Sequence, residues 1–351
     1  MEGLIVLLRE LVIHGGIMMK KWILVISLVL YGCAEETEKS PTQGPIAEKI
    51  TTNLNIPWSI NLQDDTFYIS ERVGTIAHIQ GDRVVHEPVQ LSDSLSSVSE
   101  AGLLGFALKP DFPETGEAYA YYTYDMNGKP FNKIVTIQRQ DGQWQEIAIH
   151  LDGIETGNIH HGGRLEIGPD GSLYVTVGDA GNPINAQDPA SLNGKILRMK
   201  DNGAFEIFSM GHRNPQGLAW NAAGTLYEAE HGQSANDEIN LVEQGKNYGY
   251  PIIEGEETEE GLESPIITTG SKETWAPSGI TFHQGKLYVA TLRGESIKIL
   301  NVETGEVEQS ITGFGRVRDV FSDGESLYFI TNNTDGRGTP NEDDDVLYRL
   351  K

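Results

Sequence analysis

One short strand signature, repeated along the whole chain, limits the possible folds more than any other feature. Gly-Ser-Leu173-Tyr174-Val is echoed by Gly-Thr-Leu226-Tyr227-Glu, Gly-Lys-Leu287-Tyr288-Val and Glu-Ser-Leu327-Tyr328-Phe. Weaker copies stand at Asp-Thr-Phe67-Tyr68-Ile and Glu-Ala118-Tyr119-Ala. From tyrosine to tyrosine the steps are 51, 55, 53, 61 and 40 residues. A short strand recurring every roughly 40–50 residues is the pattern of a propeller blade, and loop insertions stretch the period. Helical periodicity is scarce, and no long amphipathic run competes. The copies therefore predict an all-β, six-bladed β-propeller occupying residues 46–351, with an irregular β-sandwich as the alternative. The 40 glycines and 15 prolines suit many tight turns, while a 38% hydrophobic content is enough to pack blades. The last strand, Asp345–Leu350, alternates and ends one residue before the terminus. It is expected to pair with Ile46–Thr52 or Trp58–Leu62, because closing the ring removes exposed sheet edges.

The N-terminus reads as an export signal. Met19-Lys-Lys-Trp-Ile-Leu-Val-Ile-Ser-Leu-Val-Leu30 has a basic start and an apolar core too short for a comfortable membrane span. It runs into Leu30-Tyr31-Gly32-Cys33, which resembles a bacterial lipobox, and Cys33 is the single cysteine of the chain. A lone cysteine cannot form an internal disulfide, so lipidation explains its place at this junction. Residues 1–32 are thus expected to be a signal segment whose true start is Met18 or Met19. Residues 33–45 are expected to be a polar tether, lipid-anchored outside the cytoplasm of a bacterium. The formal charge, 26 basic minus 51 acidic residues or −25, argues against a nucleic-acid partner, which needs a basic patch. It leaves many carboxylates for calcium. No Walker loop, Rossmann fingerprint, nucleophile elbow or zinc spacing is present.

The stretch Asn158–Gly181 carries the densest chemistry. Gly163-Arg-Leu-Glu-Ile and Leu173-Tyr-Val-Thr-Val alternate like neighbouring strands of a hairpin around Pro169-Asp-Gly. Both ends of a hairpin return to one sheet edge, which makes His160 and Asp179 expected neighbours. A base held by a carboxylate is what proton abstraction needs. Elsewhere, Arg316 and Arg318 flank Val317, so on a strand both point to one side.

Eight motifs in order resemble one family: Gly102-Leu-Leu-Gly-Phe-Ala-Leu-Lys-Pro-Asp-Phe112, His160-x-Gly-Gly-Arg-Leu, Gly178-Asp179, Gly211-His-Arg-Asn-Pro-Gln-Gly-Leu218, Glu230-His-Gly232, Asp237-Glu-Ile-Asn-Leu241, Gly245-x-Asn-Tyr-Gly-x-Pro251 and Arg316-x-Arg-Asp319. Together they are similar to the soluble pyrroloquinoline quinone (PQQ)-dependent aldose dehydrogenases, the glucose/sorbosone dehydrogenase family, from about Leu54 to the C-terminus. Members are six-bladed propellers. The resemblance implies oxidation of a sugar's anomeric hydroxyl to a lactone, with hydride passing to calcium-bound PQQ and on to an external electron acceptor. It implies His160 as general base, Asp179 as the carboxylate that orients it, and Arg213 with Asn214 near the quinone carbonyls. His161 falls in the variable slot and is expected only to line the rim. Glu100 is expected to contact sugar or quinone, while Arg316, Arg318 and Arg293 take the cofactor's carboxylates, although the alignment slips by a residue at Arg293. The carbonyls of Gly232 and Gln233 would hold the cofactor's calcium. Relatives carry proline where Gln233 stands. Glu238 and the Tyr248 carbonyl would hold a second, structural calcium. The missing inter-blade insertions imply a broad aldose specificity and a monomer. Two other classes stay open: a calcium-dependent hydrolase of lactones, which would need a central ring of carboxylates, and a non-catalytic binding propeller displayed on the cell surface.

Overall fold

The computed structural model describes residues 46–351, so Cys33 and the other N-terminal expectations lie outside the described residues. The described part is all-β, with 24 strands and two four-residue helices, Phe112–Thr115 and Ile184–Gln187. The strands form four four-stranded sheets and one eight-stranded sheet. In the latter, the meanders from Pro57–Gln63 to Arg83–Gln90 and from Leu103–Leu108 to Gln143–Glu155 are joined by a brief parallel pairing, Val89 with Trp144 and Gln90 with Gln145.

The six tyrosine markers find a common structural meaning. Tyr68, Tyr119, Tyr174, Tyr227, Tyr288 and Tyr328 each lie on the second strand of a four-stranded meander. These strands have neighbours on both sides and are buried on both faces, as in Thr66–Glu71, Leu173–Val177 and Leu327–Thr331, where every residue is buried. The first strands, Pro57–Gln63, Leu103–Leu108, Leu165–Ile167, Pro215–Trp220, Pro277–His283 and Val317–Ser322, touch one another in cyclic order. Glycine permits the closest of these approaches. A Cβ on Gly279 would lie 1.6 Å from Asp319 Oδ1 on the neighbouring first strand.

The last strand closes the circuit as one of the two expectations had it. Leu347–Leu350 sits between Leu327–Thr331 and Ala47–Thr51, antiparallel to both. The seam is sealed by a cluster of Ile60, Phe67 and Ile69 with Tyr328, Ile330 and Leu347. Phe67 and Tyr328 meet edge to face at 4.9 Å, a pair worth about 1 kcal/mol beyond its buried area.

Two arginine-containing motifs serve the axis of this arrangement. The buried Arg164 guanidinium donates to Gln216 O at 2.9 Å and Ser59 Oγ at 3.1 Å, lies 3.1 Å from Asp319 Oδ1, and covers the Trp58 ring at 4.4 Å. Asp319 also accepts the Ile60 N–H at 2.8 Å. One ion pair with its hydrogen bonds thus ties together four sheets. The arginine of His160-x-Gly-Gly-Arg and the aspartate of Arg316-x-Arg-Asp are here a structural strut.

Candidate active site

The hairpin is as expected: Leu165–Ile167 pairs antiparallel with Leu173–Val177, with Leu165 opposite Val175. His160 precedes one strand and Asp179 follows the other, so the turn geometry brings them together, with His160 Nδ1 2.7 Å from Asp179 Oδ1. Gly178 allows it, because a Cβ there would lie 2.0 Å from the His160 carbonyl oxygen. An ionised carboxylate only accepts, so Nδ1 carries the proton and Nε2 keeps the basic lone pair. Asp179 Oδ1 also accepts the Gly181 N–H at 2.7 Å, whereas its buried Oδ2 has no partner. His160 adopts φ 62°, a left-handed backbone. Its N–H donates to Glu100 Oε2 at 3.0 Å.

His161 departs from the rim position expected of it. It is buried, with Nδ1 2.9 Å from Thr156 Oγ1 and Nε2 3.0 Å from the Ser99 carbonyl, and burial pulls its pKa down. His161, not His160, lines the cavity that opens beside the pair. The left-handed turn at His160 swings consecutive side chains apart.

That cavity, about 220 Å³, is walled by Trp58, Arg72, Glu100, His161, Gln216, His231, Arg318 and Arg337. Arg318 is held by Asn332 Oδ1 at 2.9 Å and Gln216 Oε1 at 2.9 Å. Burial, helped by repulsion from Arg316, pulls its guanidinium down to about 9. Arg316 is not in the wall. It pairs with Asp335 at 2.8 Å, and its buried Nε has no partner. Arg293 also differs from expectation: its side chain is exposed and its neighbour Leu292 takes the wall position. Burial raises the Glu100 carboxyl, but the His160 N–H and the Arg337 guanidinium outweigh it and hold the group at about 2.

A second, smaller cavity shares His231 with the first and is lined by Arg213, Glu230, Gly232, Asn236, Glu238, Tyr250 and Glu254. Arg213 donates to the carbonyls of His231 at 3.0 Å and Gly232 at 2.7 Å, and its buried Nε has no partner. Asn214 faces neither cavity, because its Oδ1 accepts the Gly162 N–H at 3.1 Å. Gln233 is exposed next to Gly232. Glu238 lies in this wall, and burial followed by repulsion from Glu230 pushes its carboxyl up to about 8. Tyr248 is not in the wall. Its ring stacks on His212 at 4.9 Å and its hydroxyl donates to Leu241 O at 2.7 Å, while Tyr250 takes the wall position.

Several residues here escaped the sequence reading. His231 borders both cavities, and burial pulls it down to about 4. Arg72 and Arg337 add two cations to the wall. Beneath Arg213, fully buried His212 lies 3.3 Å from Glu230 Oε1 and 2.8 Å from Ser209 Oγ. Glu230 Oε2 accepts the Arg213 and Asn214 N–H groups, which fixes the Arg213 loop. A positional signal was available: Arg72, Asp179, His231, Leu292 and Asp335 all follow closely on second strands of their meanders, where the loops open at one end of the axis.

A family model described as Glucose / Sorbosone dehydrogenase matches residues 54–348. Among solved structures, the PQQ-bound aldose sugar dehydrogenase of Streptomyces coelicolor superposes with a TM-score of 0.80 at 33% identity, over 88% of this chain and 97% of that one. The aldose sugar dehydrogenase YliI of Escherichia coli is 27% identical over 82% of this chain and 90% of its own length. Quinoprotein glucose dehydrogenase B of Acinetobacter calcoaceticus is 29% identical over 60% of this chain and 53% of its own. With the match extending across all of the described sheets, the chain belongs to the glucose/sorbosone dehydrogenase family.

Proposed function

We propose that this chain is a six-bladed propeller enzyme that oxidises the anomeric C1 hydroxyl of an aldose to a lactone, using calcium-bound PQQ and an external electron acceptor. The observation that carries the reading is the His160–Asp179 pair at 2.7 Å, set beside a cavity walled by Arg72, Arg318 and Arg337. The six-bladed count rests on the cyclic contact of six first strands, with the eight-stranded sheet taken as two blades.

The residues suit the cofactor. Cations are gathered in a cavity of an otherwise strongly acidic chain, and the buried Arg213 Nε, Arg316 Nε, His231 Nε2 and Asp179 Oδ2 have no partners, as polar atoms awaiting a ligand would. Arginines match carboxylates in geometry and charge. Arg318 would meet such groups directly, and Arg316 would do so after exchanging Asp335. In the second cavity, oxygen donors from Glu230, Glu238 and Gly232 suit a hard cation. A cation there would also relieve the mutual repulsion of Glu230 and Glu238.

His160 Nε2 takes the proton of the anomeric hydroxyl, and Asp179 stabilises the imidazolium formed. As that proton leaves, the C1–O bond becomes a carbonyl and the C1 hydrogen departs with its electron pair. PQQ supplies the two-electron acceptor when bound. Arg213 offers fixed positive charge near the reacting oxygens. The wall of the first cavity sets three arginines, Arg72, Arg318 and Arg337, against two carboxylates, Glu100 and Asp335, a balance that favours an anionic cofactor over the lactone-hydrolase reading.

Adding an aldose to calcium-loaded protein reconstituted with PQQ should change the cofactor's absorption spectrum. A protein that binds no PQQ, or binds it and leaves the spectrum unchanged with every aldose tried, would refute the assignment in favour of a binding propeller. We also propose a monomer lipid-anchored at Cys33 outside the cytoplasm. Cys33→Ser should release it from the membrane fraction with turnover intact, and a processed variant that stays membrane-bound would refute the anchor.

A further inference from the structure

Arg337 lies in the turn between Leu327–Thr331 and Leu347–Leu350, far in sequence from the histidines. Its Nη1 nonetheless donates to Glu100 Oε1 at 2.7 Å and its Nη2 to Ser99 Oγ at 3.0 Å. The same short turn reaches both histidines. Glu100 Oε2 accepts the His160 N–H at 3.0 Å, and the Ser99 carbonyl lies 3.0 Å from His161 Nε2. Arg72 clamps the turn from the other side, donating to the Ala101 carbonyl through Nε at 3.0 Å and Nη2 at 2.9 Å.

Glu100 and His160 both hold left-handed backbones, at φ 66° and 62°. Neither is glycine, so each conformation costs energy and persists only where the surroundings impose it. The Glu100–His160 hydrogen bond joins the two strained residues to each other. It cannot fix their position relative to the rest of the site. Arg72 holds the peptide of this turn, and Arg337 holds the Glu100 carboxylate that carries the bond.

We propose that Arg337 is a positioning residue for His160: by gripping Glu100 it holds the His160 peptide, and with it the ring that Asp179 orients. The pair stands at the rim, with the Arg337 side chain 50% and the Glu100 side chain 24% exposed. Its strength is therefore sensitive to salt. Arg72, His160, His161, His231 and Asp335 are the other titratable groups facing this turn.

The catalytic consequence rests on the proposed dehydrogenase activity, so the test begins with a measurement that needs neither cofactor nor sugar. In protein labelled with ¹⁵N-histidine, the His160 amide is assigned by its loss in His160→Gln. Its hydrogen exchange should be about tenfold faster in Arg337→Ala and return most of the way in Arg337→Lys. Molar salt should speed exchange in the parent and leave Arg337→Ala unmoved. With PQQ and an aldose, kcat should fall about tenfold in Arg337→Ala with KM within about twofold, and Arg337→Lys should recover most of the rate. Unaltered amide exchange in Arg337→Ala would overturn the linkage, whether or not the protein oxidises aldoses. A rise in KM alone, with kcat intact, would overturn the positioning role and make Arg337 a substrate contact.

Discussion

Two adjacent histidines offer the sharpest test of the site. His160 has one nitrogen on Asp179 and the other free to act, whereas His161 has both nitrogens engaged in a buried setting. Removing a general base costs about 10²–10⁴ in rate, or roughly 3–5.5 kcal/mol of barrier. His160→Ala should lose that much, along with some stability, because the side chain is only 12% exposed and its loss leaves the buried Asp179 carboxylate short of a partner. Asp179→Asn exchanges a charge-assisted bond for a neutral one, a difference of about 1–1.5 kcal/mol, so turnover should fall about tenfold. It also puts an amide donor where Oδ2 has no partner, which adds a stability cost. His161→Ala should behave in the opposite way. It strands the Ser99 carbonyl and the Thr156 hydroxyl and leaves a void, costing about 2–4 kcal/mol of stability, or roughly 3–6 °C in thermal midpoint, with little effect on the chemical step. The assay is single-turnover reduction of bound PQQ by an aldose, run beside thermal melts of each variant. A His160→Ala protein that reduces the cofactor at the parental rate would refute the mechanism. A collapse in rate confined to His161→Ala would mean that the base is the neighbouring ring.

Replacing both Arg316 and Arg318 with alanine should raise the Kd for PQQ at least a hundredfold, since cofactor carboxylates would lose charge-assisted partners; unchanged affinity by titration would displace the cofactor from this cavity. Chelation should lower the thermal midpoint, and in a pH-dependent way. Burial raises Glu228 and pushes Glu238 up to about 8, so the metal-free fold binds protons that the unfolded chain releases above its ordinary carboxylate range. That stabilisation is present at acid pH and lost as pH rises towards 8, so the metal-free midpoint should fall between about pH 5 and 8, while calcium should flatten the curve. A midpoint indifferent to chelator at every pH would remove the calcium site. Leu347→Ala, at a fully buried seam residue, should cost about 2–5 kcal/mol in denaturant titrations; a loss under 1 kcal/mol would show that the closing strand does not hold the ring.

The repeated Leu-Tyr strands were legible because a strand buried on both faces demands apolar residues at every turn of the repeat, and packing against neighbours keeps that demand in register. Ring closure was legible for a related reason: an alternating strand at each end of an edge-free fold has few other places to pair. His160 and Asp179 could be placed together because a hairpin is local, and its two ends must meet. Local logic stops there. Arg164 and Asp319 stood in motifs that read as functional, yet their partners, Ser59, Gln216 and Ile60, come from other sheets, so their structural role existed only after the ring had closed. The exposed side chain of Arg293, the exclusion of Arg316 from the cavity wall and the burial of His161 depended on where each loop turned as it left its strand. Arg337 shows the limit most clearly. No spacing relates it to Glu100, 237 residues away. They are neighbours because the first and last sheets lie side by side, and a contact between sheets is a property of the closed circle that no single segment encodes.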